Sequence, residues 1–546
     1  MAKFHIQIDS ILGGISQNAY QGRRNEFHSS IGIDPDRRIF TSGVAKTSGV
    51  LMPSSATDFT STGLSGYPVW FITNPENVLL YVYASDGELI SYSGFASETV
   101  IGVPTSGAGN GAAYYNNYIY LATPTNISRY GPLDNTPVLT NTVWTGTTLG
   151  SQTALGNPTY PDFRGVSLPN HPMHVHADNK LYVGDFETAD NANEGRGKIH
   201  WIRTEQATDP GDTNLGTTQN AFYLPPSYAP IDIESWGMDL VIAAVSLSAA
   251  TGDDASTRRG NAKLFFWDAI NAPALPYKAV QLPDPIVSAL LNHNGRLFIW
   301  SGSYGSGLSG DGAGVRLSEF LGGYSVRQLA FIEEGAPPIA GGVAAQGDRV
   351  VWGGFTTYPE DSICMYAYGY KNGNIPAAIH NIASSTATPA QTIFTATAVG
   401  AVEQAGFGAD PRWIMGWKDG AATQDFGIDR INVDFATSRT SVWRSQIYQL
   451  PSPFRINKIS LPLGRAVGAS MTLIPTVFID DLSASTALTT INNTNYANSE
   501  RRIVYYPSVH GTNNFCLQLR WTGTATLPVN LPIVIEGETK ADATQG

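Results

Sequence analysis

Charged side chains are scarce in this chain, at 14% of its 546 residues, where an ordinary soluble protein carries roughly 25%. Lysine and arginine total 33 against 45 acids, giving a formal charge of −12, and basic residues never run beyond pairs such as Arg23-Arg24, Arg258-Arg259 and Arg501-Arg502. Gripping a phosphate backbone takes a basic stripe that displaces counterions, so specific nucleic-acid binding is excluded as a main role. Long apolar runs are also missing. Nothing approaches the ~18 residues of a membrane-spanning helix, and the opening MAKFHIQIDSILGG has no apolar centre of signal-peptide length. The expectation is a protein made in the cytoplasm with no membrane segment. Cysteine is nearly absent: only Cys364 and Cys516 occur, with no CxxC pair, and they read as two buried free thiols.

Catalytic signatures are lacking as well. There is no G-x-S-x-G, HExxH, P-loop or kinase set. The string GSGLSG from Gly305 to Gly310 formally matches a dinucleotide fingerprint, but no helical period follows it, so it reads as a loop. Adjacent acids at Asp253-Asp254, Glu333-Glu334 and Asp480-Asp481 would point to opposite faces of a strand. Turn or rim positions fit them better than a paired-carboxylate glycosidase site.

Metal ligands find their best candidates in HPMHVHADN, where His174 and His176 share a strand face with Asp178 following and His171 preceding. Zinc needs a third and fourth ligand in a fixed shell, and no distant Cys/His pair offers them. The reading is therefore no metal, no cofactor and no catalytic residue, with the histidines lining a loop or a subunit contact.

What the chain does have is Gly (56 residues), Pro (33) and aromatics at 11%, together with abundant Thr, Ser and Asn. β-Branched and aromatic residues fit a pleated surface, while Gly, Asn and Pro supply turn dihedrals. One hairpin design recurs: AAYYNNYIYLAT at Ala112, MHVHADNKLYVGD at Met173, ESWGMDLVIAA at Glu234, LLNHNGRLFIWS at Leu290, VAAQGDRVVWGG at Val343 and GFGADPRWIMGW at Gly406. A looser copy, VWFITNPENVLLYVYAS, starts at Val69. Their turns use Asn116-Asn117, Asp178-Asn179, Asn294-Gly295 and Gly347-Asp348, residues that tolerate the positive φ of two-residue hairpin loops. Equivalent points at Leu80, Ile119, Leu181, Leu240, Leu297, Val350 and Trp413 are 39 to 63 residues apart, which is too long for two strands and right for four. Radial repetition of four-stranded sheets leaves few exposed edges.

The predicted fold is all-β: a β-propeller of about seven blades over 67–437, an extended N-terminal arm and closing strand over 1–66, and a C-terminal β-sandwich over 438–546, where alternation at Ile459, Leu461 and Leu463 changes the texture. Most of the turn-side aromatics, Tyr115, Tyr120, Tyr182, Trp300 and Trp352 among them, are expected to pack between sheets. The long loops from Gly184 to Gly197, Ser246 to Asn261 and Gly302 to Val315 are expected to carry contacts to neighbours.

The N-terminal arm adds a resemblance. GGISQ at Gly13 to Gln17, followed by Arg23 and Phe27 and then SGVLMPS at Ser48 to Ser54, resembles the opening of tailed-bacteriophage tail proteins of the nozzle or tail-tubular type. The segment after the arginine, NEFHSSIGIDP, and Val50-Leu51-Met52-Pro53 depart from that family's pattern. The resemblance implies a virion structural protein that contains a β-propeller, forms a homo-oligomeric ring and contacts other tail proteins or a host surface glycan, without catalysis. The alternative is a carbohydrate-binding or glycoside-hydrolysing propeller.

Overall fold

The computed structural model describes residues 2–33, 45–48, 65–104, 111–144, 171–187, 196–203, 221–246, 262–269, 276–302, 314–332, 338–384, 393–400, 412–418, 426–432 and 439–540, less short breaks inside those spans. The described elements are β-strands apart from one 3-10 turn at Ala340–Gly342. No described helix is long and apolar enough to cross a membrane.

Seven antiparallel sheets of four strands follow one another along the chain. Sheet 1 spans 68–102, sheet 2 112–144, sheet 3 173–226, sheet 4 228–281, sheet 5 286–332 and sheet 6 343–384. Sheet 7 takes three strands from 393–432 and its fourth, Ala45–Ser48, from the N-terminal region, with Asp429 opposite Ser48 and Asn432 opposite Ala45. The first strand of each sheet packs on the first strand of the next, and that of sheet 7 packs back on that of sheet 1. The circuit is closed.

The sequence pattern explains why sheets stand this way. A sheet with one wet face alternates apolar and polar residues; a sheet covered on both faces needs continuous apolar runs. The second strands are such runs: Leu80 to Ala84, Leu240 to Val245 and Leu297 to Ser301 are buried throughout. Apolar clusters accordingly lie between sheets, as where Val82 and Leu80 of sheet 1 meet Ile414 and Ile428 of sheet 7, or Trp300 of sheet 5 meets Trp352 of sheet 6 with ring centroids 5.8 Å apart. Tyr115, Tyr120 and Tyr182 are likewise buried in such clusters. Towards the outside the pattern weakens, and the fourth strand of sheet 5, Ser325–Ile332, is half-buried to exposed at all but one position.

Two further sheets contain the C-terminal strands. One joins Ala2–Ile8, Ile533–Thr539, Phe454–Pro462 and Arg502–Tyr505, with Val509–Gly511 also on Phe454–Pro462. The other runs Ala484–Ala487, Thr472–Ile479, Asn514–Gly523, Arg439–Arg444 and Ser29–Ile31. Their apolar faces share one cluster that includes Ile456, Ile459, Leu461, Leu517, Leu519, Trp521 and Ile535. The N-terminal region therefore supplies a strand to each of these sheets and one to sheet 7.

Candidate functional site

Among the described residues, polar side chains gather in a seam beneath the hairpin turns of sheets 3 to 5 and in a pocket under the N-terminal segment.

In the seam, the hydroxyl of Ser235 lies 2.6 Å from His174 Nε2 and 2.7 Å from His176 Nδ1. His176 Nε2 lies 3.2 Å from the carbonyl oxygen of Met238. A carbonyl only accepts, so His176 carries its proton on Nε2, its Nδ1 accepts from the Ser235 hydroxyl, and His174 Nε2–H donates to that hydroxyl oxygen. Glu234 Oε1 is 3.4 Å from His174 Nε2. Burial pulls the His174 imidazole down to about 4 and pushes the Glu234 carboxyl up to about 7. It also lowers His176. The buried Asp232 accepts the amides of Leu290 at 2.7 Å and Ile233 at 2.8 Å, and burial raises its carboxyl to about 8.

The strand face thus brings His174 and His176 together, as their spacing implied. Asp178 is not with them. The chain turns at Ala177, and the Asp178 carboxylate instead takes Lys180 Nζ at 2.5 Å and the Tyr182 hydroxyl at 2.8 Å. His171 lies deeper: its Nδ1 is 2.9 Å from the Gly184 carbonyl oxygen and 3.8 Å from Asp185, whose other oxygen is 3.3 Å from His200 Nε2, all three side chains being enclosed. Among the described residues no group of three His, Cys, Asp or Glu is placed to hold a metal. Ser235, Glu234 and Asp232 were not singled out in the sequence. The acids that interrupt the apolar strand IDIES were the available signal.

Several of these contacts tie one sheet to the next. Tyr115 of sheet 2 donates its hydroxyl to the Asn179 carbonyl of sheet 3 at 2.7 Å, and His176 of sheet 3 donates to Met238 of sheet 4. Asn292 of sheet 5 donates to the Ser235 carbonyl at 2.7 Å, and His293 donates to Gly347 of sheet 6 at 2.5 Å. The seam is a belt of inter-sheet hydrogen bonds, chemically suited to holding sheets in register.

The pocket has a volume of about 450 Å³ and lies between residues 12–26 and the outer strands of sheets 5 and 6. Gln17, Arg23, Glu26 and Tyr368 give it a polar lining beside the apolar Ile15, Leu329 and Ile379. Its roof is a short parallel pair, Gly14–Ile15 beside Glu26–Phe27. Gly14 sits at φ +73°, and a Cβ there would come 2.9 Å from Ala378 Cβ and closer still to the Ile379 carbonyl oxygen. Only glycine fits this approach. Glu26 Oε2 accepts the Arg23 amide at 2.9 Å and the Ser16 hydroxyl at 3.1 Å, closing the loop between them. Phe27 is fully buried, 6.0 Å from the His380 ring and 6.3 Å from that of Trp443. The segment is a strap from the ring edge to the C-terminal sheets.

The remaining candidates fall as follows. Cys364 and Cys516 are buried, unbridged thiols in separate sheets, each pushed up to about 12 by burial. Asp480 and Asp481 occupy a left-handed turn; Asp480 Oδ1 accepts the Thr512 amide and hydroxyl, and Asp481 Oδ1 lies 2.6 Å from Asn514 Nδ2. Gly305 to Gly310, Asp253-Asp254 and Glu333-Glu334 lie outside the described residues, as do most of the long loops.

No family model and no curated protein matches the sequence. Solved structures do. The Pan2 WD40 domain of Neurospora crassa is 10% identical with a TM-score of 0.39, covering 73% of this chain and 97% of that one. The β-propeller domain of the Trilobed protease of Pyrococcus furiosus, described as having an open velcro topology, is 9% identical with a TM-score of 0.35, covering 65% and 92%. A glycoside hydrolase family 43 arabinoxylan arabinofuranohydrolase of Bacillus subtilis is 10% identical with a TM-score of 0.28, covering 91% and 99%.

Proposed function

We propose that this chain is a structural subunit of a tailed-phage tail, of the nozzle, hub or tip kind, which assembles into a homo-oligomeric ring and contacts other tail proteins or the host surface. In this reading residues 67–437 form a seven-bladed propeller, 438–546 a β-sandwich, and 1–66 an arm that sews the two together. The observation that carries it is the strap. Of the residues that bear the resemblance to tail proteins, Gly13 to Gln17 with Arg23 and Phe27 are packed between the ring edge and the C-terminal sheets, while Gly49 to Ser54 lie outside the described residues. A particle component must be rigid, and the belt of inter-sheet hydrogen bonds, the closed circuit of sheets and the shared C-terminal core all serve rigidity. The polar groups of the seam are spent on one another and on backbone, which favours scaffolding over catalysis.

Quantifying the protein in purified virions tests this. A fixed copy number per particle, in a multiple matching a ring, is expected. Absence from particles, with release of reducing sugar that disappears on replacing one carboxylate, would instead establish a glycoside-hydrolysing propeller.

A further inference from the structure

The strap is held firmly at both ends and loosely between them. Before it, Ile11 is buried in the core shared by the C-terminal sheets. After it, Ser29–Ile31 pairs with Arg439–Arg444, the Ser441 hydroxyl donates to the Gly32 carbonyl oxygen at 2.9 Å, and the Ile33 amide donates to the Asn381 carbonyl oxygen at 2.8 Å. Between these anchors the hydrogen bonds to the rest of the molecule include exposed ones: Gln17 donates to the Leu329 carbonyl oxygen at 3.4 Å, Gln328 donates to Gln17 at 3.2 Å, and the Tyr20 hydroxyl donates to Asp481 at 3.1 Å. Segments held by exposed bonds of this kind open locally while the rest stays folded. Gly14 and Ile15 against the ring edge, and Phe27 with His28 at the root, keep this one seated.

His28 is the last residue before the pairing with Arg439–Arg444 begins. Its amide donates to the Arg444 carbonyl oxygen at 3.1 Å, and its Nδ1 lies 2.8 Å from the Ser29 hydroxyl. Arg444 stands opposite Ser29 in the register. Its guanidinium is fixed: the side chain is buried, donates to Gln518 at 2.8 Å and to the Pro359 carbonyl oxygen at 3.3 Å, and has its Cζ 4.5 Å from the Phe478 ring centre. Burial first, and the Arg444 charge second, pull the His28 imidazole from 6.5 down to about 4. The other titratable and charged groups about the strap are Glu26 and Arg23 on the strap itself, 3.9 Å apart, Asp481 at the Tyr20 hydroxyl, His380 against Phe27, and the buried thiol of Cys516.

We propose that His28 is a pH-sensitive latch for the strap. Protonated in place, it would set an imidazolium beside a guanidinium in a largely desolvated site, so the proton is taken by lifting away. In the lifted state residues 12–28 leave the ring edge and uncover Leu329, Ala330, Ala378 and Ile379, while both anchors hold and the circuit of sheets stays closed. The seated strap binds fewer protons than the lifted one, so acid favours lifting. Between a free value of 6.5 and a seated value of about 4, the ratio of lifted to seated strap rises up to tenfold per pH unit and about 300-fold in all. This does not depend on the tail reading.

Amide exchange of the intact chain, read by mass spectrometry and expressed as protection factors so that the chemical pH dependence divides out, tests the latch. In wild type, protection over residues 12–28 is expected to fall between about pH 6.5 and about pH 4, while strands Asp239–Ser246 and Arg296–Gly302 keep theirs. His28→Gln and His28→Asn, each shown by a thermal melt at neutral pH to fold, should hold strap protection level across that window. His174→Gln, which removes a second acid-sensitive imidazole far from the strap in sequence, should leave the wild-type response in place. Flat strap protection in wild type overturns the proposal, as does loss of protection by strap and ring strands together. A folded His28 variant that responds as wild type does, or a response abolished by His174→Gln, overturns it equally.

Discussion

The carboxylate of Asp232 accepts the backbone amide of Leu290 at 2.7 Å, joining the first strands of sheets 4 and 5 where both residues are buried. Burial lifts this carboxyl from 3.8 to about 8. The folded chain thus holds the proton more tightly than the unfolded one, so the contribution to stability is fully present below about pH 4 and is lost as pH rises through about 8. Replacing Asp232 with Asn keeps the shape and removes the titration. Urea midpoints at about pH 5 and about pH 9 should therefore differ less in Asp232→Asn than in wild type. An unchanged difference would exclude Asp232 as its source.

His174 works in the opposite direction. Its imidazole, pulled by burial from 6.5 to about 4, stays neutral in the folded chain while the unfolded chain protonates. Stability is lost as pH falls from about 6.5 through about 4. His174→Gln retains a donor for Ser235 and should flatten the acid limb of the stability profile. Ser235, Glu234 and His176 face this group, and Glu234→Gln should move the same limb by a smaller amount.

Phe27 anchors the strap between His380 and Trp443. Phe27→Ala opens a cavity at a fully enclosed site and should cost about 3–5 kcal/mol in denaturant unfolding. Limited proteolysis should then cut within residues 12–26 before the ring sheets are touched. Uniform cleavage across the chain would show that the strap is not an independent unit.

Two glycines separate backbone strain from crowding. Gly237, at φ +63°, has open space where a Cβ would point, whereas Gly14, at φ +73°, faces Ala378 and Ile379. Gly237→Ala should cost only the left-handed strain, roughly 1–2 kcal/mol. Gly14→Ala should cost more and also loosen the strap, which the same proteolysis experiment reads. Equal costs would mean that Ile379 gives way freely.

Local chemistry was legible in the sequence because it depends on neighbours. Asn116 at φ +46°, Asn117 at +69°, Asn294 at +53° and Gly295 at +75° sit in the turns their residue types demand. The hairpins read at Ala112 and Leu290 coincide with strands Ala112–Tyr115 and Tyr118–Ala122, and with Ile286–His293 and Arg296–Gly302. Long-range pairing was harder to read. Ala45–Ser48, AKTS, has no alternation or bulk, and its place in sheet 7 is set by Asp429–Asn432 at the far end of the circuit. At the seam, the shared face of His174 and His176 could be read from a period of two. Ser235 could not, because the serine that gathers them belongs to another sheet, and Asp178 was misplaced by the turn at Ala177.

The pairing of Ala45–Ser48 with Asp429–Asn432, and of Ala2–Ile8 with Ile533–Thr539, sets an order on biosynthesis. A ribosome delivers the first partners long before the second, so the early strands must wait, unmatched, while the residues between them emerge. Those sheets are completed only once the later strands have emerged, and a nascent fragment released before then would carry unmatched strand edges open to aggregation.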